Sequence, residues 1–166
     1  VCSSDLGDNT TLADSAYDWV TFGSSFNVLN QQAALVETHR LLKPNGYFTC
    51  MWNHRDLQDP IQDLAEQIIV RFVPHYNRGL RREDQRPIIE QSPLFKDIFY
   101  FEMDFQFHQT LENYILAWRS VKNKYWDLAT PEGEALFRTI QTELSKQLPA
   151  EFSIKYTMRA WTAQKK

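Results

Sequence analysis

The pattern of apolar and polar positions between residues 17 and 52 predicts a strand, a helix and a second strand. Residues 19–22 and 47–52 are short, mostly apolar runs with little alternation. Such runs are typical of strands that are buried on both faces of a parallel sheet. Between them, five positions at helical spacing form one stripe for the core, namely Ala34, Leu35, Thr38, Leu41 and Leu42.

A tight turn is expected between this helix and the second strand. Pro44 cannot continue the helix, and either Asn45 or Gly46 can take the positive φ that a tight turn needs. A strand–helix–strand unit of about 30 residues implies a right-handed crossover between parallel strands. Ligands of such sheets bind beyond the carboxyl ends of the strands. Residues 23–27 and 53–55 are therefore predicted to form a functional rim.

Two later stretches alternate strictly between apolar and polar residues, at positions 99–108 and 152–160. A period of two predicts strands with one buried, apolar face and one wetter face. Two strands near the end of the chain, each with one solvent-exposed face, favour an antiparallel pair at one edge of a mixed sheet. The intervening helices are predicted from their capping residues, Asp59, Thr110 and Thr130, of which the first and last precede a proline.

Composition narrows the class of protein. The chain has 166 residues, of which 43% are hydrophobic, enough for one domain with a real core. The net charge is −3 and no cluster of Lys and Arg stands out, so sequence-independent nucleic-acid binding is not expected. No apolar stretch approaches about 18 residues, so no membrane span is expected either.

Cysteine and histidine positions argue against a metal site. Cys2 and Cys50 form no metal or redox spacing, and Cys50 is expected to fill space in a buried strand, which favours a reducing, cytoplasmic setting. The four histidines have no second ligand at a known spacing, namely His39, His54, His75 and His108. The sequence therefore predicts no bound metal.

The central segment resembles a known family. Asp-Trp-Val-Thr-Phe-Gly-Ser-Ser-Phe-Asn at 18–27, followed by Glu37, Arg40, a Leu-Leu-Lys-Pro run and Gly46, is similar to the fourth-to-fifth-strand segment of class I S-adenosylmethionine-dependent methyltransferases. The predicted antiparallel pair resembles the sixth and seventh strands of the same fold. The resemblance implies an α/β fold, the carboxyl part of a Rossmann-like methyltransferase sheet.

The resemblance also implies a cofactor, S-adenosylmethionine, and residues that meet it. Asp8 and Asn9 correspond to the segment that meets adenine, and Phe22, Gly23 and Ser24 to the border of the methionine end. Both segments have a plain structural alternative. Residues 7–15 are equally well explained as a solvated turn. For Gly23 and Ser24 the alternative is a tight turn, and the resemblance favours the cofactor border.

Candidates for contact with the methyl acceptor lie at or just after the ends of the two predicted strands: Phe26, Asn27, Trp52, Asn53 and Arg55. Phe26 and Trp52 are equally well interpreted as core residues, since large aromatic side chains usually are. Many relatives carry His at the position of Asn27, and an amide cannot accept a proton at neutral pH, although it can orient an acceptor. Asn27 and His54 are therefore the catalytic candidates, with no base assigned.

The sequence also raises expectations about its own extent. Residues 1–6 can be encoded by the end of a common sequencing adapter, so they are expected to be a scar or, alternatively, an ordinary terminus, and residues 7–166 the carboxyl part of one methyltransferase domain. Arg78, Arg81, Arg82 and Arg86 belong to a lid over the substrate or, alternatively, a solvated surface.

The function implied by the resemblance is methyl transfer from S-adenosylmethionine to a small molecule by the complete protein, with this piece alone inactive. The alternative is a non-catalytic binding or interaction module with the same fold. The sequence makes no prediction of the oligomeric state.

Overall fold

The computed structural model describes residues 7–77, 83–120 and 125–166. The elements in the first part of the chain are β1 (Tyr17–Gly23), a 3₁₀ helix (Phe26–Val28), α1 (Gln31–Leu41), β2 (Leu42–Arg55) and α2 (Pro60–Phe72). They are followed by α3 (Arg86–Glu90), β3 (Phe95–Thr110), α4 (Leu111–Ser120), α5 (Pro131–Gln147) and β4 (Glu151–Lys165). The expected scar at residues 1–6 lies outside the described residues, as do the lid candidates Arg78, Arg81 and Arg82.

The four strands form one sheet in the order β1-β2-β4-β3. β1 and β2 are parallel, with Trp19 opposite Tyr47 and Gly23 opposite Met51, and α1 connects them as the sequence predicts. The expected turn does not separate helix from strand, because β2 starts directly at Leu42. Residues 43–46, which were expected to form the turn, lie within β2 instead. The pairing with β1 is irregular there, because Tyr17 lies opposite Leu42 and Trp19 lies opposite Tyr47.

β3 and β4 are antiparallel. Arg159 of β4 donates to Glu102 of β3, and Trp161 of β4 contacts Tyr100 of β3. Residue numbers therefore rise along one strand as they fall along the other. The α/β fold class with an antiparallel pair at the carboxyl end is confirmed.

The described chain divides into two compact units. The first comprises residues 7–54, 83–103 and 157–166, and the second comprises residues 55–77, 104–120 and 125–156. β2, β3 and β4 contribute to both units, which are described separately below.

The core of the first unit is built around Phe48. Its ring centroid lies 5.2 Å from that of Phe26, 5.7 Å from Phe22 and 5.6 Å from Phe95. Phe48 and Phe26 are fully buried, and each such side chain contributes about 1.5–3 kcal/mol by leaving water. This aromatic cluster lies between the strands and α1, whose Ala34, Leu35 and Leu41 are buried as predicted.

The second unit packs α2, α4 and α5 around a core of large side chains that includes Tyr114, Trp118, Trp126, Phe137 and Ile140. The three predicted capping residues are confirmed. Asp59 accepts from the N–H groups at 61 and 62, Thr110 from that at 113, and Thr130 from that at 133. The helices therefore begin where their sequence signals place them.

The predicted burial of both faces of β1 is wrong. The exposed fraction of Trp19 is 59%, and Phe22 is the one buried residue of this strand. β1 is the first strand in the sheet order, so only one of its edges is paired within the described chain. An apolar run shows that a strand is able to be covered on both faces. It does not show whether helices or other strands are placed to cover it.

The predicted orientation of β3 is also wrong. The alternating apolar side chains expected to be buried are largely exposed, with Phe99 at 63%, Phe101 at 52% and Met103 at 48%. β3 is the other edge strand of the sheet. Alternation predicts that two faces differ in polarity, but it does not say which face receives a covering element.

The alternation predicted for β4 holds at its start only. Phe152 and Ile154 are buried, whereas the later buried side chains are Trp161 and Ala163, which lie beyond the predicted stretch 152–160. The period of two is kept within each half of the strand, and the buried positions change from even to odd between them.

Candidate functional site

The chain turns at the carboxyl end of β1, and Ser24 makes the turn. Ser24 has a φ of 55°, and its N–H donates to the carbonyl oxygen of Met51 at 2.8 Å. Gly23 has no positive φ, and a Cβ atom placed on it would meet no described atom within 4 Å. The space beside Gly23 is therefore open, while the left-handed conformation of the turn is carried by Ser24.

Phe26 lies beneath this turn and not on its surface. Its ring is fully buried, at 5.6 Å from that of Phe22, which is itself buried. The sequence left Phe26 either as an acceptor contact or as a core residue, and the structure supports the second interpretation. The buried side chain anchors the 3₁₀ helix to the core. The next residue, Asn27, is exposed.

Asn27, predicted to lie at the rim, and Trp52, a predicted contact for the methyl acceptor at the end of the second strand, are brought together. The indole N–H of Trp52 donates to Oδ1 of Asn27 at 3.1 Å. An indole nitrogen can only donate, so this contact orients the amide, with its oxygen towards Trp52 and its NH₂ group directed elsewhere. Asn27 thus offers the rim a hydrogen-bond donor.

Two residues that the sequence analysis did not select support Trp52. Its ring packs edge-on against that of Trp161, with centroids 5.9 Å apart, and the indole N–H of Trp161 donates to Oδ1 of Asp84 at 2.8 Å. Trp161 was missed because it lies beyond the alternating stretch at 152–160, in the last part of β4. Asp84 lies in a polar stretch that carries no motif.

Replacing Trp52 with phenylalanine should release Asn27. The ring is kept and the N–H donor is lost, so we expect the free energy of unfolding to fall by about 0.5–1.5 kcal/mol. The side-chain amide resonance of Asn27 should shift in NMR spectra. Trp19→Phe is the matched control, because Trp19 donates to Thr49 instead, at 2.8 Å. An Asn27 resonance that moves equally in both variants would contradict the proposed contact.

The remaining rim candidates have different surroundings. Asn53 is exposed, whereas His54 is buried with 8% of its surface exposed. A general base must come within hydrogen-bond reach of the proton that it abstracts. In this structure the buried position of His54 limits that access.

Arg55 belongs to the second unit. Its guanidinium carbon lies 4.8 Å from the ring centroid of Tyr114 and 4.7 Å from that of Trp118. Nε of Arg55 donates to the hydroxyl of Tyr156 at 3.0 Å. A cation between two aromatic faces is favourable, and this cage fixes the orientation of the side chain within its own unit.

The segment before β1 is attached to α1 by two charged side chains. The N–H and hydroxyl of Thr10 donate to Oε1 of Glu37 at 2.8 and 2.6 Å. Arg40 donates to both carboxylate oxygens of Glu37, at 2.8 and 2.6 Å, and to the carbonyl oxygen of Leu12 at 2.8 Å. Arg40 also pairs with Asp14. Glu37 and Arg40 thus connect one turn of helix to most of this loop.

The two predicted adenine contacts lie in the same segment. Asp8 is half-buried and Asn9 is exposed. Next to them, a Cβ atom on Gly7 would lie 2.6 Å from Cδ1 of Leu29, so the backbone at Gly7 approaches that side chain closely. At the far end, the N–H of Ser15 donates to the carbonyl oxygen of Arg40 at 2.9 Å.

The charge on Glu37 is strongly favoured. Its hydrogen bond with Arg40, helped by those from Thr10 and opposed by burial, lowers the pKa of Glu37 to about 2. Glu37 and Asp14 in turn raise the pKa of Arg40. The side chain of Glu37 is 9% exposed and both carboxylate oxygens accept hydrogen bonds, which is the condition under which a buried charge is tolerated.

The Glu37–Arg40 pair should make the protein acid-sensitive. The pKa of Glu37 is about 2 when folded, against an ordinary value of 4.5. Its stabilisation is therefore complete above pH 4.5 and is lost as the pH falls towards 2. We expect a contribution of about 1–2 kcal/mol, less than the full pKa difference would give, because Arg40 and Asp14 are partly exposed and screened.

The measurement is urea unfolding of the wild type and of Glu37→Gln from neutral pH down to pH 2. The difference between the two free energies of unfolding should shrink as the pH falls. Glu112→Gln, at an exposed position of α4, is the control and should show little difference at any pH. A Glu37→Gln penalty that is unchanged at low pH would show that the charge is not what stabilises the segment.

Other chemistries have little support among the described residues. In residues 7–77, 83–120 and 125–166, no group of three or more His, Cys, Asp or Glu side chains is placed to hold a metal ion. Burial raises the pKa of Cys50 to about 12, so this thiol stays protonated and is a poor nucleophile. Within the same residues, no helix has the length and apolarity needed to cross a membrane.

Comparison with known proteins finds methyltransferases. No protein-family model matches the chain. A segment of 58 residues is 36% identical to an uncharacterized methyltransferase of Schizosaccharomyces pombe. The match covers 35% of this chain and 23% of the relative, so the similarity extends over about a quarter of that protein.

Solved structures also align with the chain, at lower sequence identity. The YcgJ protein of Bacillus subtilis aligns over 96% of this chain and 68% of its own, with a TM-score of 0.49 and 14% identity. A candidate methyltransferase from Bacillus halodurans aligns over 95% and 68%, with a TM-score of 0.47 and 14% identity. The resemblance to methyltransferases predicted from the motifs at 18–27 and 37–46 is thus found again by direct comparison of sequences.

Proposed function

We propose that the protein to which this chain belongs is an S-adenosylmethionine-dependent methyltransferase that acts on a small molecule. The observation that carries the proposal is the parallel β1–α1–β2 unit, with an open backbone at Gly23 and a left-handed turn at Ser24. Ligands of parallel sheets bind at this end of the strands. The match to a methyltransferase supports the same reaction class.

The residues present fit the cofactor. A Cβ atom built on Gly23 would meet no described atom within 4 Å. A ligand can therefore approach the backbone at this position. In this proposal the backbone from Phe22 to Ser24 borders the methionine end, and Asp8 and Asn9 lie near adenine. Bound S-adenosylmethionine supplies an activated methyl group, and the chain's task is to hold the acceptor in line with it.

Asn27 is proposed to orient the methyl acceptor. Because Trp52 holds its amide oxygen, the NH₂ group of Asn27 can donate to an oxygen or unprotonated nitrogen of the acceptor. Asn27 does not remove a proton, and His54 is buried. The proposal therefore favours an acceptor that loses its proton without help from a strong base on this rim, and Trp52 with Asn53 forms part of the surface that meets it.

Phe26 and Arg55 have a smaller place in the proposal. Phe26 acts through the position of Asn27, since its own ring reaches no solvent. Arg55 is held by Tyr114, Trp118 and Tyr156 of the second unit, and its role as a substrate contact remains a proposal.

The 166 residues are not proposed to form the whole cofactor site. The family resemblance implies a glycine-rich loop at the methionine carboxylate, and the five glycines of this chain contain no Gly-x-Gly-x-Gly spacing. We therefore expect weak cofactor binding and no turnover from this chain alone. The buried, free Cys50 thiol supports a reducing compartment, and we propose the cytoplasm.

The test is to titrate the full gene product with S-adenosylmethionine by calorimetry and then to supply it with a panel of small phenols, carboxylic acids and amines. Binding followed by transfer of a labelled methyl group to one class supports the proposal. Binding without transfer to any class would favour the alternative, a non-catalytic module of the same fold. Absence of binding by the full gene product would contradict both.

A further inference from the structure

The segment before β1 has little regular structure of its own. Residues 7–16 form turns and extended chain without a helix, and the first strand begins at Tyr17. The conformation of this segment therefore depends on what it contacts. Its two ends are fixed by Gly7 against Leu29 and by Ser15 on the end of α1.

The middle of the segment is fixed by Glu37 and Arg40. These residues are one turn apart on α1 and bond each other at 2.6 and 2.8 Å. Glu37 accepts hydrogen bonds from the N–H and the hydroxyl of Thr10, and Arg40 donates one to the carbonyl oxygen of Leu12. Together they satisfy a backbone donor and a backbone acceptor that would otherwise need water.

The pair is not an ordinary surface ion pair. Exposed pairs between neighbouring turns of a helix contribute little. Here the side chain of Glu37 is only 9% exposed, and its bonds lead away from the helix to a loop 27 residues earlier in the chain. A guanidinium fork is suited to this task, because its planar donors can meet a carboxylate and a carbonyl oxygen at once.

We propose that Glu37 and Arg40 are positioning residues for the adenine side of the cofactor site, because they fix the segment that carries Asp8 and Asn9. The proposal rests on the proposed function for the identity of the ligand. The positioning of the segment itself does not. In this arrangement, the helix that connects the two parallel strands also sets the distance between their rim and the adenine contacts.

The first experiment measures backbone amide hydrogen exchange in the 166-residue chain without ligand. In Glu37→Gln the charge-assisted bond from the Thr10 amide becomes a neutral one, and in Arg40→Met the carboxylate of Glu37 loses the guanidinium that holds it. We therefore expect the Thr10 amide to exchange at least about tenfold faster in both variants. The amides of Ser15 and Ala16 bond to backbone carbonyl oxygens of α1 and serve as internal controls that should change much less. The matched control variant is Glu143→Gln, which breaks an i,i+3 pair with Lys146 on α5.

The second experiment measures adenine recognition in the full gene product. Affinity is compared for S-adenosylhomocysteine and for its inosine analogue, which carries a carbonyl oxygen in place of the adenine amino group. The wild type should prefer the adenine form. Arg40→Met should reduce that preference by about tenfold, the value of one well-placed hydrogen bond, while Glu143→Gln should keep it.

The outcomes separate the two proposals. If Thr10 exchange is unchanged in both Glu37→Gln and Arg40→Met, the positioning role is wrong. If exchange accelerates but the preference for adenine is kept, the two residues stabilise the loop without positioning a ligand, and the inference also fails. If the wild-type gene product binds neither ligand, the proposed function fails, whatever the exchange rates are.

Discussion

Replacement of Phe26 with alanine should lower the free energy of unfolding by about 3–5 kcal/mol, the usual cost of truncating a fully buried phenylalanine. The ring of Phe26 is 0% exposed and lies 5.6 and 5.2 Å from the rings of Phe22 and Phe48. Its removal would leave a cavity between β1, β2 and the 3₁₀ helix. The neighbours are strands and a helix, which can collapse into that cavity only in part.

Urea or thermal unfolding, followed by circular dichroism, measures the loss. Phe26→Leu should recover most of the stability because it refills the volume. Phe99→Ala is the matched control, since it removes the same atoms from a side chain that is 63% exposed, and it should cost far less. A Phe26→Ala penalty as small as that of Phe99→Ala would place the ring in an open pocket, contrary to the structure.

The distinction between Phe26 and Asn27 matters for function. Adjacent residues of a 3₁₀ helix point in different directions, and here one enters the core while the other reaches the rim. The buried ring of Phe26 fixes the position of the 3₁₀ helix on the core, and Trp52 then orients the side-chain amide of Asn27. Destabilising Phe26 would therefore also disturb the rim, so its effect on activity must be separated from a direct contact by measuring folding first.

The sequence predicted the β1–α1–β2 unit well because each signal there is local. Helical spacing, a proline that cannot continue a helix and an asparagine that accepts a positive φ are properties of neighbouring residues. Asn45 has a φ of 63°, as expected of one of the two turn candidates. The same signals could not show that the turn would be taken into β2 as an irregular pairing, because register depends on the partner strand.

Burial was predicted less well because it depends on non-local packing. The exposed Trp19 and Phe99 lie on the two edge strands of the sheet, β1 and β3. Apolarity indicates a capacity for burial, whereas strand order and covering elements decide whether burial occurs. Neither can be read from a period of two.

The candidate site shows the same division. Gly23 and Asn27 could be selected because they follow the first predicted strand, and Trp52 because it ends the second. The structure brings Asn27 and Trp52 into contact. Glu37 and Arg40 were visible only as part of a family motif. Their bonds to Thr10 and Leu12 join positions about 27 residues apart, so no local pattern could assign them this role.

Replacement of Gly23 with valine should weaken binding of S-adenosylmethionine by about 10–100-fold in the full gene product, while leaving its stability nearly unchanged. A Cβ atom at Gly23 meets no described atom within 4 Å, so the branched side chain has room in the free protein. Valine is also favoured in strands. With the cofactor bound at this rim, the same side chain would overlap it, and overpacking of this kind costs about 1–3 kcal/mol.

Gly46→Val provides the contrasting control. There, a Cβ atom would lie 3.0 Å from the carbonyl oxygen of Lys43 and 3.1 Å from that of Asp18, and backbone atoms cannot easily move away. Gly46→Val should therefore lower the free energy of unfolding and leave cofactor affinity near the wild-type value in the fraction that is folded.

Calorimetric titration and urea unfolding of both variants give the two quantities. Loss of affinity at Gly23 with stability kept, and the reverse at Gly46, would locate the cofactor beside the end of β1. Wild-type affinity in Gly23→Val would mean that nothing passes this backbone, so that Gly23 serves only the approach to the turn at Ser24. A valine side chain that touches no ligand in the complex cannot weaken ligand binding. The open space beside Gly23 would then have to be explained by contact with protein.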